Sequence, residues 1–155
     1  MIIFSIYFIL YISISFFILI LFHRARSKKV DFKLSEPYPF ISVLVAARNE
    51  ENCISDCLHS LVEQNYPIDK LEILVGDDAS MDRTAEIVRS FNKDHKRVKL
   101  IAIEERLGKA FGKANVLAHL ANEAKGDIFL ITDADMVLGP EWVKVMSSYE
   151  SDYDI

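Results

Sequence analysis

The feature that most constrains the fold is an alternation of short apolar runs with helical patterns, which begins at residue 40. Four largely apolar runs predict strands over residues 40–47, 71–75, 98–103 and 128–132, and the continuous β-branched first run is expected to be covered on both faces. After each run, apolar residues spaced three and four apart predict an amphipathic helix. This alternation predicts an α/β fold with a mostly parallel sheet, built from right-handed βαβ units.

The sequence also marks the ends of the predicted helices. Asn49 is a plausible N-terminal cap for the first helix. The third helix is predicted from about Lys109 to Ala124, with Gly126 suited to its C-terminal cap. Pro140 opens the last helix, because proline is favoured in a first helical turn.

Polar residues follow each predicted strand at the point where it ends. They are Arg48-Asn49-Glu50, Asp77-Asp78, Arg106-Leu107-Gly108-Lys109 and Asp133-Ala134-Asp135. In open parallel sheets, ligands bind beyond the carboxyl ends of the strands. The four clusters therefore predict one binding site at this edge of the sheet.

Asp133 and Asp135 lie two residues apart after the fourth predicted strand. From an extended segment both carboxylates can point the same way and hold one divalent cation. The alternative is a solvated turn in which Asp133 caps the next segment, and the triplet alone is weak support for either. Its position after a buried strand, with other acids converging, favours the cation site.

Two further clusters suit the parts of a nucleotide. A carboxylate at a strand end, such as Asp77 or Asp78, can accept hydrogen bonds from a nucleobase. Lys109 and Lys113 lie one turn apart at a predicted helix N-terminus, where cations oppose the helix dipole unless an anion binds there. With Arg106 they suit a diphosphate, although a solvated helix face would explain them too.

Residues 1–22 contain no charged residue. As a helix they would be roughly 33 Å long, which matches a hydrocarbon core of about 30 Å. No basic n-region or small-residue cleavage site indicates a signal peptide, and the all-round apolar character argues against a core helix. Four Lys or Arg residues follow within residues 23–29 and none precedes. The positive-inside rule then predicts a single-pass anchor in the cell (inner) membrane, a basic linker over 23–39 and a cytoplasmic domain.

The charge balance excludes some partners. After residue 35 the chain carries thirteen basic and 22 acidic residues, a formal net charge of −9. So acidic a domain is a poor nucleic-acid binder, since phosphate contacts need a basic surface. A nicotinamide enzyme is disfavoured because no glycine-rich fingerprint follows the first strand. Cys53 and Cys57 are interpreted as packing residues.

With these motifs in place, the chain resembles the family 2 glycosyltransferases, which use the GT-A fold. The resemblance covers about residues 40–150 and four motifs in the family's order. Ile41 to Glu50 resembles the opening strand and its Asn-Glu turn, and Gly108-Lys109-Ala110 resembles the Gly-Lys segment before the third helix. Gly76 to Thr84 resembles the Asp-Asp-Gly-Ser-x-Asp-x-Thr motif, with Ala79 in place of the usual Gly. Thr132 to Asp135 resembles the Asp-x-Asp motif. This implies a Rossmann-like GT-A nucleotide-sugar-binding half-domain, the donor-binding part, over residues 40–155.

The resemblance also implies a role for each candidate residue. The implied donor nucleotide-binding residues are Ala46, Arg48, Asn49, Glu50, Asp77, Asp78 and Asp133. The implied diphosphate-binding residues are Arg106, Lys109 and, less firmly, Lys113. Asp135, with Asp133 in the metal shell, would ligate Mg²⁺ or Mn²⁺. The implied donor is a nucleotide-diphosphate sugar, foremost a UDP-sugar, and the implied acceptor is a membrane-associated glycan or lipid.

The chain departs from the family at its C-terminal end. The family's general base is an acid beyond the Asp-x-Asp strand, so the base is expected beyond Ile155. The leading hypothesis is therefore an inverting, membrane-anchored glycosyltransferase or its donor-binding fragment. Two alternatives stay open: a Mg²⁺-dependent phosphoryl-transfer or phospho-acceptor domain, and a catalytically inactive remnant.

Overall fold

The structure, a computed structural model, describes residues 2–26 and 36–149 of the chain. The chain divides into two compact units, residues 1–32 and 33–155. The first unit contains one helix, α1 (Ile2–Arg26). Among the described residues, none of the helices has both the length and the apolar character needed to cross a membrane. The membrane-spanning helix predicted over residues 1–22 is therefore not supported, and the predicted linker 23–39 lies largely outside the described residues.

The second unit alternates strands and helices as the sequence predicts. Its strands are β1 (Ile41–Ala47), β2 (Leu71–Asp77), β3 (Val98–Ala102) and β4 (Ile128–Asp133). Its α-helices are α2 (Ile54–Val62), α3 (Thr84–Asp94), α4 (Lys113–Glu123) and α5 (Trp142–Ser148). A short 3₁₀ helix, Ile68–Lys70, precedes β2.

The four strands form one parallel sheet in the order β3-β2-β1-β4. The predicted α/β fold and parallel sheet are thus confirmed. β1 lies in the middle and pairs with β2 on one side and β4 on the other, so Ala46 is level with both Gly76 and Asp133. This register brings the carboxyl ends of β1, β2 and β4 together at one edge of the sheet.

Helices cover both faces of the sheet and form two apolar cores. On one face, α2, α3 and α5 pack against alternate strand residues, including the fully buried Val43, Val45 and Ile73. On the other face, α4 packs Val116 and Leu120 against the interleaved set of strand residues. β1 and β2 are buried on both faces, which explains why they read as continuous apolar runs, whereas Phe129 and Ile131 of the edge strand β4 are exposed.

A buried polar cluster joins the strands at the edge opposite their carboxyl ends. The Glu72 carboxylate accepts hydrogen bonds from Ser42 Oγ at 2.7 Å, from Lys99 Nζ at 2.7 Å and from the Lys125 N–H at 2.7 Å. Burial raises the pKa of Glu72, but these three donors outweigh it, and the pKa lies below its usual value. Ser42 Oγ also accepts the Gly126 N–H at 2.8 Å, so the segment leading into β4 is held against β1 and β2.

Three predicted helix ends are wrong. Asn49 does not cap α2: its own φ is 56°, its Oδ1 accepts the Met81 N–H, and Cys53 occupies the N-cap position. The third helix begins at Lys113 rather than near Lys109, because Gly112 at its N-cap has a positive φ of 51° that no helix continues through. At its other end Ala124, not Gly126, is the C-cap.

Candidate functional site

A cavity of about 510 Å³ opens at the carboxyl ends of β1, β2 and β4. Residues from four segments line it: the end of β1, the turn after β2, the start of α4 and the turn after β4. The lining residues are Ala46, Ala47, Arg48, Glu50, Asp78, Gly112, Lys113, Val116, Asp133, Ala134 and Asp135. The predicted location of the site beyond the strand ends therefore coincides with a cavity.

The cavity brings together most, but not all, of the predicted site residues. Seven of them line it: Ala46, Arg48, Glu50, Asp78, Lys113, Asp133 and Asp135. Four do not: Asn49, Asp77, Arg106 and Lys109. Four lining residues were not among the predicted site residues, because they carry no polar side chain that would mark them: Ala47, Gly112, Val116 and Ala134.

The loop after β1 and the loop after β2 are tied to each other by hydrogen bonds. Asn49 N donates to Ser80 Oγ at 3.0 Å, and Glu50 N donates to Thr84 Oγ1 at 2.8 Å. In return, Asn49 Oδ1 accepts the Met81 N–H at 2.8 Å. Ser80 and Thr84 thus hold the Asn-Glu turn in place, and the Asn49 side chain bonds the loop after β2 rather than lining the cavity.

Asp77 and Ala79 shape the turn that carries Asp78. Asp77 is buried, and its Oδ1 accepts the Ser80 N–H at 3.3 Å, so its carboxylate faces the turn rather than the cavity. Ala79 has a φ of 53°, in the left-handed region that favours glycine. This conformation is the physical reason why a glycine suits the position that Ala79 occupies in this chain.

Two ion pairs cross the mouth of the cavity. Arg48 Nη1 lies 3.1 Å from Asp78 Oδ2, joining the loops after β1 and β2. Lys113 Nζ contacts Asp133 Oδ1, joining the first residue of α4 to the last residue of β4. A bound anion was expected to offset the positive charge of Lys113 at this helix start. In the structure the Asp133 carboxylate does so. Since all four groups are at least partly exposed, an incoming ligand can replace either pair at small cost.

Asp135 differs from Asp133 in its contacts. It is exposed and makes no ion pair or side-chain hydrogen bond within residues 36–149. In this part of the chain there is no cluster of three or more His, Cys, Asp or Glu side chains suited to a metal. Asp133 and Asp135 supply two carboxylates at the end of β4, which matches the oxygen preference of Mg²⁺ and Mn²⁺ and leaves other positions for ligand phosphates and water.

Cys57 lies beneath residues 133–135, which we call the acidic turn, and its thiol is neutral. It is fully buried on the core-facing side of α2, so the interpretation as a packing residue is confirmed for Cys57, whereas Cys53 at the N-cap of α2 is only partly buried. Burial and the nearby Asp135 carboxylate raise the pKa of Cys57 to about 11. The thiol therefore stays protonated at neutral pH, and it donates to the Asp133 carbonyl oxygen at 3.6 Å.

The segment between β3 and α4 holds the other two predicted phosphate ligands. Arg106 stacks its guanidinium over the Phe111 ring, 3.6 Å from the ring centroid. Asn115 fixes this segment by accepting the Leu107 N–H at 2.7 Å and donating to the Glu105 carbonyl at 3.0 Å. Arg106 and Lys109 therefore lie on a braced loop next to the cavity rather than on the helix that borders it.

Comparison with known proteins shows the family to which this chain belongs. The family model for glycosyl transferase family 2 matches residues 42–152. This range contains the whole cavity lining and all four strands except Ile41, the first residue of β1. The chain belongs to glycosyl transferase family 2. The family predicted from the motifs is thereby confirmed for the domain that carries the cavity.

Curated members of the family resemble this family 2 chain over a fraction of their own length. The probable glycosyltransferase YdaM of Bacillus subtilis is 39% identical over 98 residues, which are 63% of this chain and 23% of YdaM. The beta-monoglucosyldiacylglycerol synthase of Synechocystis is 33% identical over 99 residues, which are 64% of this chain and 20% of the synthase.

Solved structures of glycosyltransferases match the fold of this family 2 chain. The mannosyltransferase PcManGT from Pyrobaculum calidifontis, in complex with GDP-Man and Mn²⁺, has a TM-score of 0.66 and 33% identity, over 86% of this chain and 40% of its own. S. aureus TarS 1–349 in complex with UDP-GlcNAc has a TM-score of 0.60 and 27% identity, over 72% of this chain and 31% of its own. The GT-A fold expected from the resemblance is thus confirmed.

Proposed function

We propose that this chain is the donor-binding part of an inverting glycosyltransferase, which transfers a sugar from a nucleotide-diphosphate sugar to a glycan or lipid acceptor. One observation carries the proposal: a single cavity is lined both by Asp78 and Glu50 and by the Lys113, Asp133 and Asp135 cluster. The first pair suits the hydrogen-bond donors of a nucleoside. The second group has the charges that a diphosphate and its cation need.

The nucleoside is assigned to the loops after β1 and β2. When it binds, Asp78 exchanges its contact with Arg48 for hydrogen bonds from the base, and Arg48 stays close to the entrance. Ala46 and Ala47 line the same cavity with small side chains, and we assign the flat ring of the base to that part of it. UDP-sugars are the proposed donors, because TarS was solved with UDP-GlcNAc. PcManGT was solved with GDP-Man, so GDP is the second nucleotide to be tested.

The diphosphate is assigned to the start of α4 and the acidic turn. Lys113 is the only cationic side chain that lines the cavity beside Arg48 among the described residues, and it stands at a helix N-terminus, where anions are favoured. Lys113 then holds the diphosphate, and Asp133 is released to face the cation. Arg106 and Lys109, which the sequence analysis also assigned to the diphosphate, are kept as secondary contacts from their loop.

Asp135 is the proposed main ligand of a divalent cation, with Asp133 beside it. A bound Mg²⁺ or Mn²⁺ supplies Lewis-acid stabilisation of the departing diphosphate. The donor set fits such an ion, because both groups are carboxylates and Asp135 has no competing partner in the described part of the chain.

Titration calorimetry with UDP and GDP, each with and without Mn²⁺, tests the proposed function. We expect UDP to bind the chain, and Mn²⁺ to tighten that binding at least about tenfold, because the cation bridges two sets of negative charge. GDP is expected to bind more weakly than UDP. Absence of binding by either nucleotide in the presence of Mn²⁺ would contradict the assignment.

We also propose that the chain acts at the cytoplasmic surface of a membrane. The described side chains of α1 from Phe4 to Leu21 are exposed and largely apolar, and the basic residues of 23–29 suit anionic lipid headgroups. In a flotation assay the chain should rise with vesicles that contain phosphatidylserine and rise less with neutral phosphatidylcholine vesicles. Recovery of the chain in the lipid-free fraction with both would argue against membrane attachment.

A further inference from the structure

A row of polar side chains on α2 faces the segment that follows β4. Cys57 and Ser60 lie three residues apart on α2, and Gln64 follows the Glu63 C-cap, where its Nε2 donates to the Ser60 carbonyl at 2.9 Å. All three are buried, with exposed fractions of 0%, 9% and 5%. Buried polar groups at helical spacing are costly unless each finds a hydrogen-bond partner. We call these three residues the α2 polar row.

Each member of the α2 polar row bonds the backbone on one side or the other of Asp135. Cys57 Sγ donates to the Asp133 carbonyl at 3.6 Å, two residues before Asp135. Ser60 Oγ accepts the Leu138 N–H at 3.1 Å, three residues after it. Upstream and downstream of the acid, the backbone is therefore fixed to the same helix.

Gln64 makes the most extensive of these contacts. Its Nε2 donates to the Gly139 carbonyl at 2.7 Å, and its Oε1 accepts the Val143 N–H at 2.9 Å. The Asn65 N–H adds a bond to the Pro140 carbonyl at 2.8 Å. One amide side chain thus closes the loop between the acidic turn and α5, with both ends of the amide satisfied.

We propose that the α2 polar row positions Asp135 for the cation, so that Ser60 and Gln64 set the affinity for Mn²⁺ without touching it. Asp135 has no side-chain partner of its own in the described residues, so the backbone on either side fixes where its carboxylate lies. Groups that orient a ligand in this way change metal affinity when they are removed. The inference rests on the proposed function, and it makes Ser60 and Gln64 positioning residues rather than catalytic ones.

The test compares Ser60→Ala and Gln64→Met with the wild-type chain. Mn²⁺ affinity is measured by electron paramagnetic resonance at saturating UDP, and UDP affinity without metal is measured by calorimetry. We expect each variant to weaken Mn²⁺ binding roughly tenfold, while metal-free UDP affinity changes less than about twofold, because the row bonds the segment from Asp133 to Val143 and not the loops assigned to the nucleoside. Ser60→Thr, which keeps the hydroxyl, should retain the wild-type Mn²⁺ affinity.

Asn92→Ala is the matched control for a loss of stability alone. Asn92 also bonds a backbone carbonyl from a helix, that of Val98, but it joins α3 to β3 away from the acidic turn. We expect this variant to lower the melting temperature as the row variants do and to leave Mn²⁺ affinity unchanged. Hydrogen exchange should be faster at Leu138 and Val143 in the row variants only.

The outcomes separate the two proposals. Row variants that lose no more Mn²⁺ affinity than Asn92→Ala would overturn the positioning role while the proposed function stands. If the wild-type chain itself binds no Mn²⁺ with UDP, the proposed function falls and the positioning role falls with it. A loss of Mn²⁺ affinity confined to Ser60→Ala and Gln64→Met supports both.

Discussion

Asp135→Ala is expected to abolish the Mn²⁺-dependent part of UDP binding. Within residues 36–149 the exposed Asp135 carboxylate has no ion-pair or hydrogen-bond partner, whereas Asp133 is held by Lys113. Removing a direct ligand should cost more than the 10- to 100-fold that removal of an orienting group costs, so a loss of more than about 100-fold in Mn²⁺ affinity is expected. Calorimetry with UDP in the presence and absence of Mn²⁺ measures it.

Asp69→Ala is the control for this experiment, since Asp69 is another exposed aspartate but lies in the 3₁₀ helix before β2. It should bind UDP and Mn²⁺ as the wild-type chain does. Metal-free UDP binding should persist in Asp135→Ala, because the nucleoside contacts are assigned to the loops after β1 and β2. If UDP binding by Asp135→Ala still depended on Mn²⁺ as it does in the wild-type chain, the assignment of the cation to the acidic turn would be contradicted.

The second large effect concerns stability, and Gly126→Ala should produce it. A Cβ at Gly126 would lie 2.4 Å from Ser42 N and 2.9 Å from Ile41 C, both backbone atoms of the central strand. Backbone in the middle of a sheet cannot shift cheaply, so the substitution should cost about 3 kcal/mol, at the upper end for overpacking. For a domain of this size that lowers the melting temperature by roughly 10 °C or more.

Gly139→Ala is the matched control, because a Cβ at Gly139 would meet no atom within 4 Å. Its melting temperature should stay within a few degrees of the wild-type value, as measured by calorimetric or circular dichroism melts. Equal melting temperatures for the two variants would show that the segment before β4 is not packed tightly against β1.

The sequence allowed the sheet and the position of the site to be predicted because both follow from local patterns. β1 and β2 are apolar on both faces, so their run of Val, Leu and Ile marks them directly. Parallel strands place their carboxyl ends together, and Asp78, Asp133 and Asp135 follow such ends. It could therefore be predicted from the sequence that these acids line one cavity, without knowledge of the tertiary structure.

The features that the sequence did not predict depend on long-range partners or on backbone conformation. Asn49 suits a helix cap by its residue type, but its bonds run to the loop after β2, about thirty residues away. The late start of α4 depends on the positive φ of Gly112, which no periodicity reveals. Gln64 gave no signal at all, since a glutamine near a helix end is ordinary until its backbone partners are known.

The central claim is that the cavity at the strand ends binds a nucleoside diphosphate together with a divalent cation. The most direct test is a crystal structure of the chain soaked with UDP and Mn²⁺, with an anomalous difference map collected near the manganese edge. The account predicts one strong peak at about 2.2 Å from Asp135, with the diphosphate between it and Lys113. A peak elsewhere, or a nucleotide bound outside the cavity, would contradict it.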